Sequence, residues 1–273
     1  MSKNVQFSDL WAVILGGSSG FGFAAVEQLA AYGMNIAVLY RETSIAEKLL
    51  REKFSKIAAV NEITILPYNL NALDASGRES FIKQFIEAAD DRRPVVKLLL
   101  HSIARGNLKP LAVSDADKKN DANLLSVDDI QYTTYAMSNS LLDWARALLN
   151  ENLFHYDARV IGLTSEGAHK HWEGYAAVSI AKASLESLAK YMAVEFSPFG
   201  IKTNLIQAGI TETSSLKKIP GSEQLLQIAK TRNPMGRMTQ PDDVAKVIYL
   251  LCTDEAYWIN GSIIHVDGGE HCS

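Results

Sequence analysis

Cysteine is scarce in this chain: Cys252 and Cys272 are the only two in 273 residues. Two cysteines cannot frame a disulfide scaffold, and neither has the neighbours of a zinc site; no metal is expected, and a reducing, cytoplasmic setting is. Long apolar runs are missing too. No segment offers the ~18 uncharged apolar residues of a membrane span. The start has neither a long apolar region nor a small-residue cleavage site, so no signal peptide is expected. Charge of one sign is not in excess: 27 Lys and Arg against 31 Asp and Glu leave a net −4. That balance argues against nucleic-acid binding and gives no attraction to an anionic membrane. Linkers rich in Gly, Pro or Ser and internal repeats are absent, so one domain over residues 1–273 is expected. With 47% hydrophobic and 21% charged residues, the composition excludes disorder and collagen-like fibres.

What is present is a rhythm. Short apolar runs predict strands at Trp11–Leu15, Asn35–Tyr40, Ile63–Tyr68, Val95–Leu100, Ala158–Leu163, Lys202–Ile206 and Ser262–Val266. Runs such as Ala12-Val13-Ile14-Leu15 are apolar throughout, which suits strands covered on both faces. Helical patterns lie between them, at Phe21–Tyr32, Ala46–Phe54, Ser76–Ala89, Asp129–Leu149, Tyr175–Glu195 and Pro241–Leu251. The alternation predicts an α/β fold: a Rossmann-type, doubly wound parallel sheet with helices on both faces. Two stretches break the rhythm. Ser114–Asn123 is polar and reads as a solvated loop. Thr213–Asn233, with Leu225, Leu226 and Ile228, follows the sixth strand, where ligands bind in such sheets, and reads as a substrate-covering segment.

The first strand runs into Gly16-Gly17-Ser18-Ser19-Gly20-Phe21-Gly22. Glycines here permit a tight turn and a close backbone approach to a pyrophosphate, with a helix N-terminus behind it. Gly16, Ser18, Ser19, Gly20, Phe21 and Gly22 are therefore candidate cofactor contacts. After the second strand, where an acidic residue would bind a ribose 2′-hydroxyl, the chain reads Tyr40-Arg41-Glu42. An arginine there suits a 2′-phosphate, which favours NADPH, with NADH possible if Arg41 is merely solvated and Glu42 takes the ribose.

Tyr175 and Lys182 are seven apart on a predicted helix, so they share a face about 10 Å apart along the axis. A cation near a phenol makes it a better acid or base near neutrality. His169-Lys-His171 hints at a metal, but no third ligand is evident, and it reads as the rim of a pocket.

Gly16-x3-Gly20-x-Gly22 together with Tyr175-x6-Lys182 resembles the short-chain dehydrogenase/reductase family. Asn204-Leu-Ile-Gln-Ala-Gly209 with Thr213, Asn233-Pro-Met-Gly-Arg237 and His265-Val-Asp-Gly-Gly269 are similar to its later signatures, in the right order along the chain. The resemblance implies that Tyr175 gives a proton or hydrogen bond to the substrate oxygen. Lys182 would hold the nicotinamide ribose and depress the pKa of Tyr175. Asn69 and Leu70 would lie along the adenine, while Gly209, Ile210 and Thr213 would contact nicotinamide and phosphates. It also implies a homo-oligomer, commonly a tetramer.

His101-Ser102-Ile103-Ala104, where most members have Asn-Asn-Ala-Gly, resembles the enoyl-acyl-carrier-protein reductase branch. Its NADPH-using variant is the nearest match. That branch implies Ser102, Ile103 and Ala104 as cofactor contacts, with His101 a satisfied strand-end residue. The chain departs from it at Ser165, where a second tyrosine is usual. Thr164-Ser165-Glu166-Gly167 is similar instead to the Ser-x-x-Gly of ketoreductases, with Thr164 in the serine's place by spacing. Thr164 and Ser165 are both candidate catalytic residues. The family's lysine-supporting asparagine has no clear equivalent; Ser138 and Asn139 lie near its place. The implied activity is reduction of a 2-enoyl thioester in fatty acid synthesis, small or carrier-bound, with a local basic patch (Lys217, Lys218, Arg232) facing an acidic carrier. The alternatives are a 3-oxoacyl or other carbonyl reductase and, less well supported by the retained Tyr and Lys, a cofactor-sensing protein without catalysis.

Overall fold

The computed structural model describes residues 6–88, 93–112, 124–213, 216, 219 and 221–273. Its centre is a sheet of seven parallel strands in the order β3-β2-β1-β4-β5-β6-β7. The strands are β1 Leu10–Leu15, β2 Asn35–Tyr40, β3 Ile65–Asn69, β4 Val95–His101, β5 Phe154–Thr164, β6 Ile201–Ala208 and β7 Ile263–Val266. The order reverses between β1 and β4, which opens a crevice at the carboxyl ends of those strands.

The helices are α1 Gly20–Ala31, α2 Ser44–Asn61, α3 Ala75–Ala88, α4 Val127–Thr134, α5 Ser140–Asn150, α6 Ala176–Glu195, α7 Ser222–Arg232 and α8 Pro241–Cys252. Side chains alternate across β1. Val13 and Leu15 join a core with Phe81, Phe85, Trp144 and Leu185. Ala12 and Ile14 face a second core with Val26, Leu29, Val244 and Ile248. Two apolar faces, each roofed by helices, explain why these strands carry no polar alternation.

The structure differs from the sequence reading at several strand ends, most at β5, which starts at Phe154 rather than Ala158, and in three helical stretches. Helix α2 runs to Asn61 rather than Phe54, because Lys, Ala and Glu sustain a helix without a continuous apolar stripe; it ends at Glu62 in the left-handed conformation, φ 56°. The expected helix over 129–149 is broken by one π turn, Tyr135–Asn139. The span around Leu226 holds a helix of its own, α7. The polar stretch Ser114–Asn123 lies outside the described residues, as do Lys217 and Lys218 and the side chains of Leu225 and Ile228. Among the described residues no helix is long and apolar enough to cross a membrane.

Candidate active site

Two cavities meet at the carboxyl ends of the strands. The first is a groove of about 330 Å³ over the β1/β4 crevice. Its floor is the glycine turn. Gly16 has φ +86°, and a β-carbon there would stand 2.5 Å from the Ser102 carbonyl oxygen. A β-carbon on Gly22 would fall 2.2 Å from the Gly16 carbonyl oxygen. Gly22 thus closes the turn and is not part of the groove's lining. Ser18, Ser19, Gly20 and Phe21 do line it, and no side chain caps the N-terminus of α1 at Ser19. The free N–H groups and positive end of α1 are left for an anion. A dinucleotide's pyrophosphate suits this cradle.

The far walls hold some of the expected positions and not others. Tyr40, Arg41, Leu70, Ser102, Ile103, Ala104, Lys182 and Thr213 all line the groove. Asn69 does not. Its amide accepts from the Glu42 N–H at 3.0 Å and donates to the Glu47 carboxylate at 2.7 Å, tying β3 to the start of α2. Asn71, Ala72 and Leu73 take the place expected of it. Those three stand just past a strand's carboxyl end, a position that the fold class could have flagged. Gly209 and Ile210 belong to the second cavity.

That second cavity, about 480 Å³, shares Phe21, Ala104, Thr164, Ser165, Tyr175 and Thr213 with the groove. Leu108, Met137, Val178, Leu216 and Ile219 make it largely apolar. Met137 comes from the π turn and packs with Val178 and Ala181 of α6. No sequence signal marked Met137 or Val178, because their meeting depends on how two distant helices cross. Arg232, expected on a free basic patch, is instead half-buried at the cavity's edge, donating to Glu166 at 2.6 Å.

Tyr175 stands just before α6, at the junction of the cavities. Burial pushes its pKa up, and the Ser165 hydroxyl offsets part of that. The Gly167 N–H donates to Ser165 Oγ at 3.2 Å, and a β-carbon on Gly167 would stand 2.5 Å from the Tyr175 ring. The glycine therefore orients the serine and lets the ring lie against the loop. Thr164, placed by spacing in the serine's role, lines both cavities too, but its hydroxyl is engaged elsewhere: it donates to Glu186 at 2.7 Å.

Lys182 is buried and donates to the Leu163 carbonyl at 2.7 Å. Burial lowers its pKa to about 8, against a smaller upward pull from Glu186. Asn139 is exposed, and Ser138 donates to Ser184 at 3.2 Å. His101 is buried against Ser140 at 2.8 Å, with its pKa lowered to about 3 by burial and by Lys182. It is thus neutral and stays so. His169 reaches Glu186 at 2.8 Å, while His171 lines the second cavity. The contact between His169 and Glu186 was not marked in the sequence.

The chain is similar along nearly its whole length to known proteins. A family model described as enoyl-(acyl carrier protein) reductase matches residues 16–271. The NADPH enoyl-[acyl-carrier-protein] reductase of Staphylococcus aureus is 27% identical, covering 93% of this chain and 92% of that protein. A tropinone reductase homolog of Arabidopsis thaliana is 26% identical over 94% of this chain and 92% of its own. The crystal structure of the NADH enoyl-[acyl-carrier-protein] reductase of Aquifex aeolicus superposes with a TM-score of 0.81 at 25% identity, covering 98% of each chain. With its Tyr–Lys pair and Ser165 gathered beside a dinucleotide groove, the chain belongs to the short-chain dehydrogenase/reductase family of NAD(P)H-dependent oxidoreductases, in the group that the enoyl-(acyl carrier protein) reductase model describes.

Proposed function

We propose that this protein reduces the C=C bond of a 2-enoyl thioester with NADPH. The observation that carries the reading is the largely apolar 480 Å³ cavity ending on Ser165 and Tyr175, where it meets the cofactor groove. A bound nicotinamide cofactor supplies the hydride. The residues supply placement and charge stabilisation. Leu108, Met137 and Val178 hold an acyl chain and keep water out. Tyr175 and Ser165 present hydroxyls to the thioester oxygen, where negative charge gathers as the β-carbon is reduced. Burial keeps the Tyr175 phenol protonated, so it can donate. Arg41, at the groove's end, favours the 2′-phosphate of NADPH. The reading includes a cytoplasmic homo-oligomer acting on a carrier-bound or free thioester.

A second reading has one observation of its own. Two hydroxyls, of Ser165 and Tyr175, at the meeting of the cavities are also the groups that would polarise a ketone, which supports a 3-oxoacyl or other carbonyl reductase. Purified protein with NADPH is assayed on crotonyl and acetoacetyl thioesters. Oxidation of NADPH with the crotonyl substrate is expected; turnover of acetoacetyl alone would overturn the enoyl reading. Tyr175→Phe is expected to lose about 10²–10⁴-fold in turnover while cofactor binding persists.

A further inference from the structure

Past β7 the chain brings together a carboxylate, an imidazole and a thiol that the reduction does not use. Asp267 is buried; its Oδ1 accepts the Gly269 N–H at 3.0 Å, and its Oδ2 accepts the His271 N–H at 3.0 Å. Burial by itself raises the pKa of Asp267, but the His271 and Gly269 N–H groups and the His271 ring outweigh it and hold the pKa below its ordinary 3.8. Oδ2 also meets Nδ1 of His271 at 2.6 Å. The His265 ring stacks on that imidazole, with centroids 3.9 Å apart and planes 15° apart. The far ring nitrogen, Nε2, lies 3.2 Å from Sγ of Cys272, which is exposed.

We propose that Cys272, His271 and Asp267 form a thiol-exchange site, where a low-molecular-weight disulfide reacts to leave a mixed disulfide on Cys272. An ionised carboxylate only accepts hydrogen bonds, so Nδ1 carries the ring proton and Nε2 of the neutral ring is left as the base. A nucleophile, a base within reach and a third group orienting that base are the parts of an activated thiol. In the step, Nε2 takes the Cys272 proton and Sγ attacks one sulfur of the disulfide. The disulfide's own S–S bond breaks as the new one forms. Cys272 is oxidised, the departing sulfur is reduced, and the proton held on His271 passes to that sulfur. Asp267 touches neither sulfur and acts as a positioning residue. A purely structural role for Asp267 accounts for its two backbone N–H bonds. It leaves unexplained a ring fixed on both sides and aimed at an exposed thiol. Asp267 and His271 also line the apolar cavity, so the modified thiol stands close to its edge. Cys252 is the contrast: it is buried, and burial pushes its pKa up to about 12, which keeps it an unreactive thiol. The site goes beyond the reductase reading and does not depend on it.

The test mixes the full-length protein at neutral pH with dithiobis(nitrobenzoate), an aromatic disulfide whose released thiolate is coloured. The folded protein is expected to react rapidly at Cys272 alone, and Cys252 to react only after unfolding. Cys272 is expected to exchange about tenfold or more faster in the folded protein than in the same chain unfolded in urea, a comparison that needs no variant. Cys272→Ser is expected to abolish the rapid phase. His271→Gln is expected to slow it about tenfold or more at an unchanged melting temperature. Asp267→Asn is expected to slow it too, and to add no further loss in the double variant with His271→Gln, because Asp267 acts through the ring. A rapid phase surviving in Cys272→Ser, an unchanged rate in His271→Gln, additive losses in the double variant, or a folded thiol no faster than the unfolded one would each overturn the site. Thiolate release is read without NADPH or thioester, so a failure of the reductase reading leaves this result standing.

Discussion

The Thr164 hydroxyl donates to the carboxylate of Glu186 at 2.7 Å, twenty-two positions away. This bond decides which of two neighbouring hydroxyls faces the reaction. With Thr164 committed to α6, Ser165 is the hydroxyl left to act with Tyr175.

Ser165→Ala therefore removes one of two donors aimed at the substrate oxygen. A loss of about 10²-fold in kcat is expected, with cofactor affinity unchanged. Steady-state kinetics with fluorescence titration of NADPH separate the two. Unaltered kcat would place the oxygen elsewhere.

Gly167→Ala tests how closely the Tyr175 ring is held. The added methyl would meet the ring at 2.5 Å, while the backbone there needs no left-handed angle. The ring has to shift, and a misplacement approaching 1 Å costs up to about 10²-fold in rate. Circular dichroism is expected to show an intact fold alongside the loss. Wild-type activity would mean the ring has room that the packing denies.

Arg41 reports on cofactor choice. Arg41→Ala is expected to weaken NADPH by about 10–100-fold, the worth of a charge-assisted bond to phosphate, and to leave NADH nearly unaffected. Calorimetry with both cofactors measures the ratio. Equal weakening of the two would remove Arg41 from the 2′ site.

His101 makes folding sensitive to acid. Its folded pKa of about 3 lies below its ordinary 6.5. Between those values the unfolded chain binds a proton that the folded chain excludes. Stability therefore rises with pH across that window and falls as pH drops through it. Melting temperatures at pH 6.5 and pH 4.5 are expected to differ by several degrees less in His101→Asn than in wild type. An identical drop in both proteins refutes the assignment.

Much of the architecture was legible because it rests on local pattern. Asn35–Tyr40 was read with the bounds it has, and Val95–Leu100 fell one residue short. Strands buried on both faces must be apolar throughout, and that is visible in one dimension. Boundaries failed where no apolar stripe marked them, as at the end of α2, or where one helix is interrupted, as at the π turn.

The sequence alone determined the glycine turn, the Tyr175–Lys182 pair and the parallel sheet, since each depends on residue types at fixed short spacing. Tertiary structure decided the rest. It assigned Ser165 rather than Thr164 to Tyr175, moved Asn69 out of the groove, paired Arg232 with Glu166, and joined His169 to Glu186. Each of these is a contact across a strand, helix or loop boundary. Such contacts are set by how the strands alternate and the helices cross, and no short-range spacing records them.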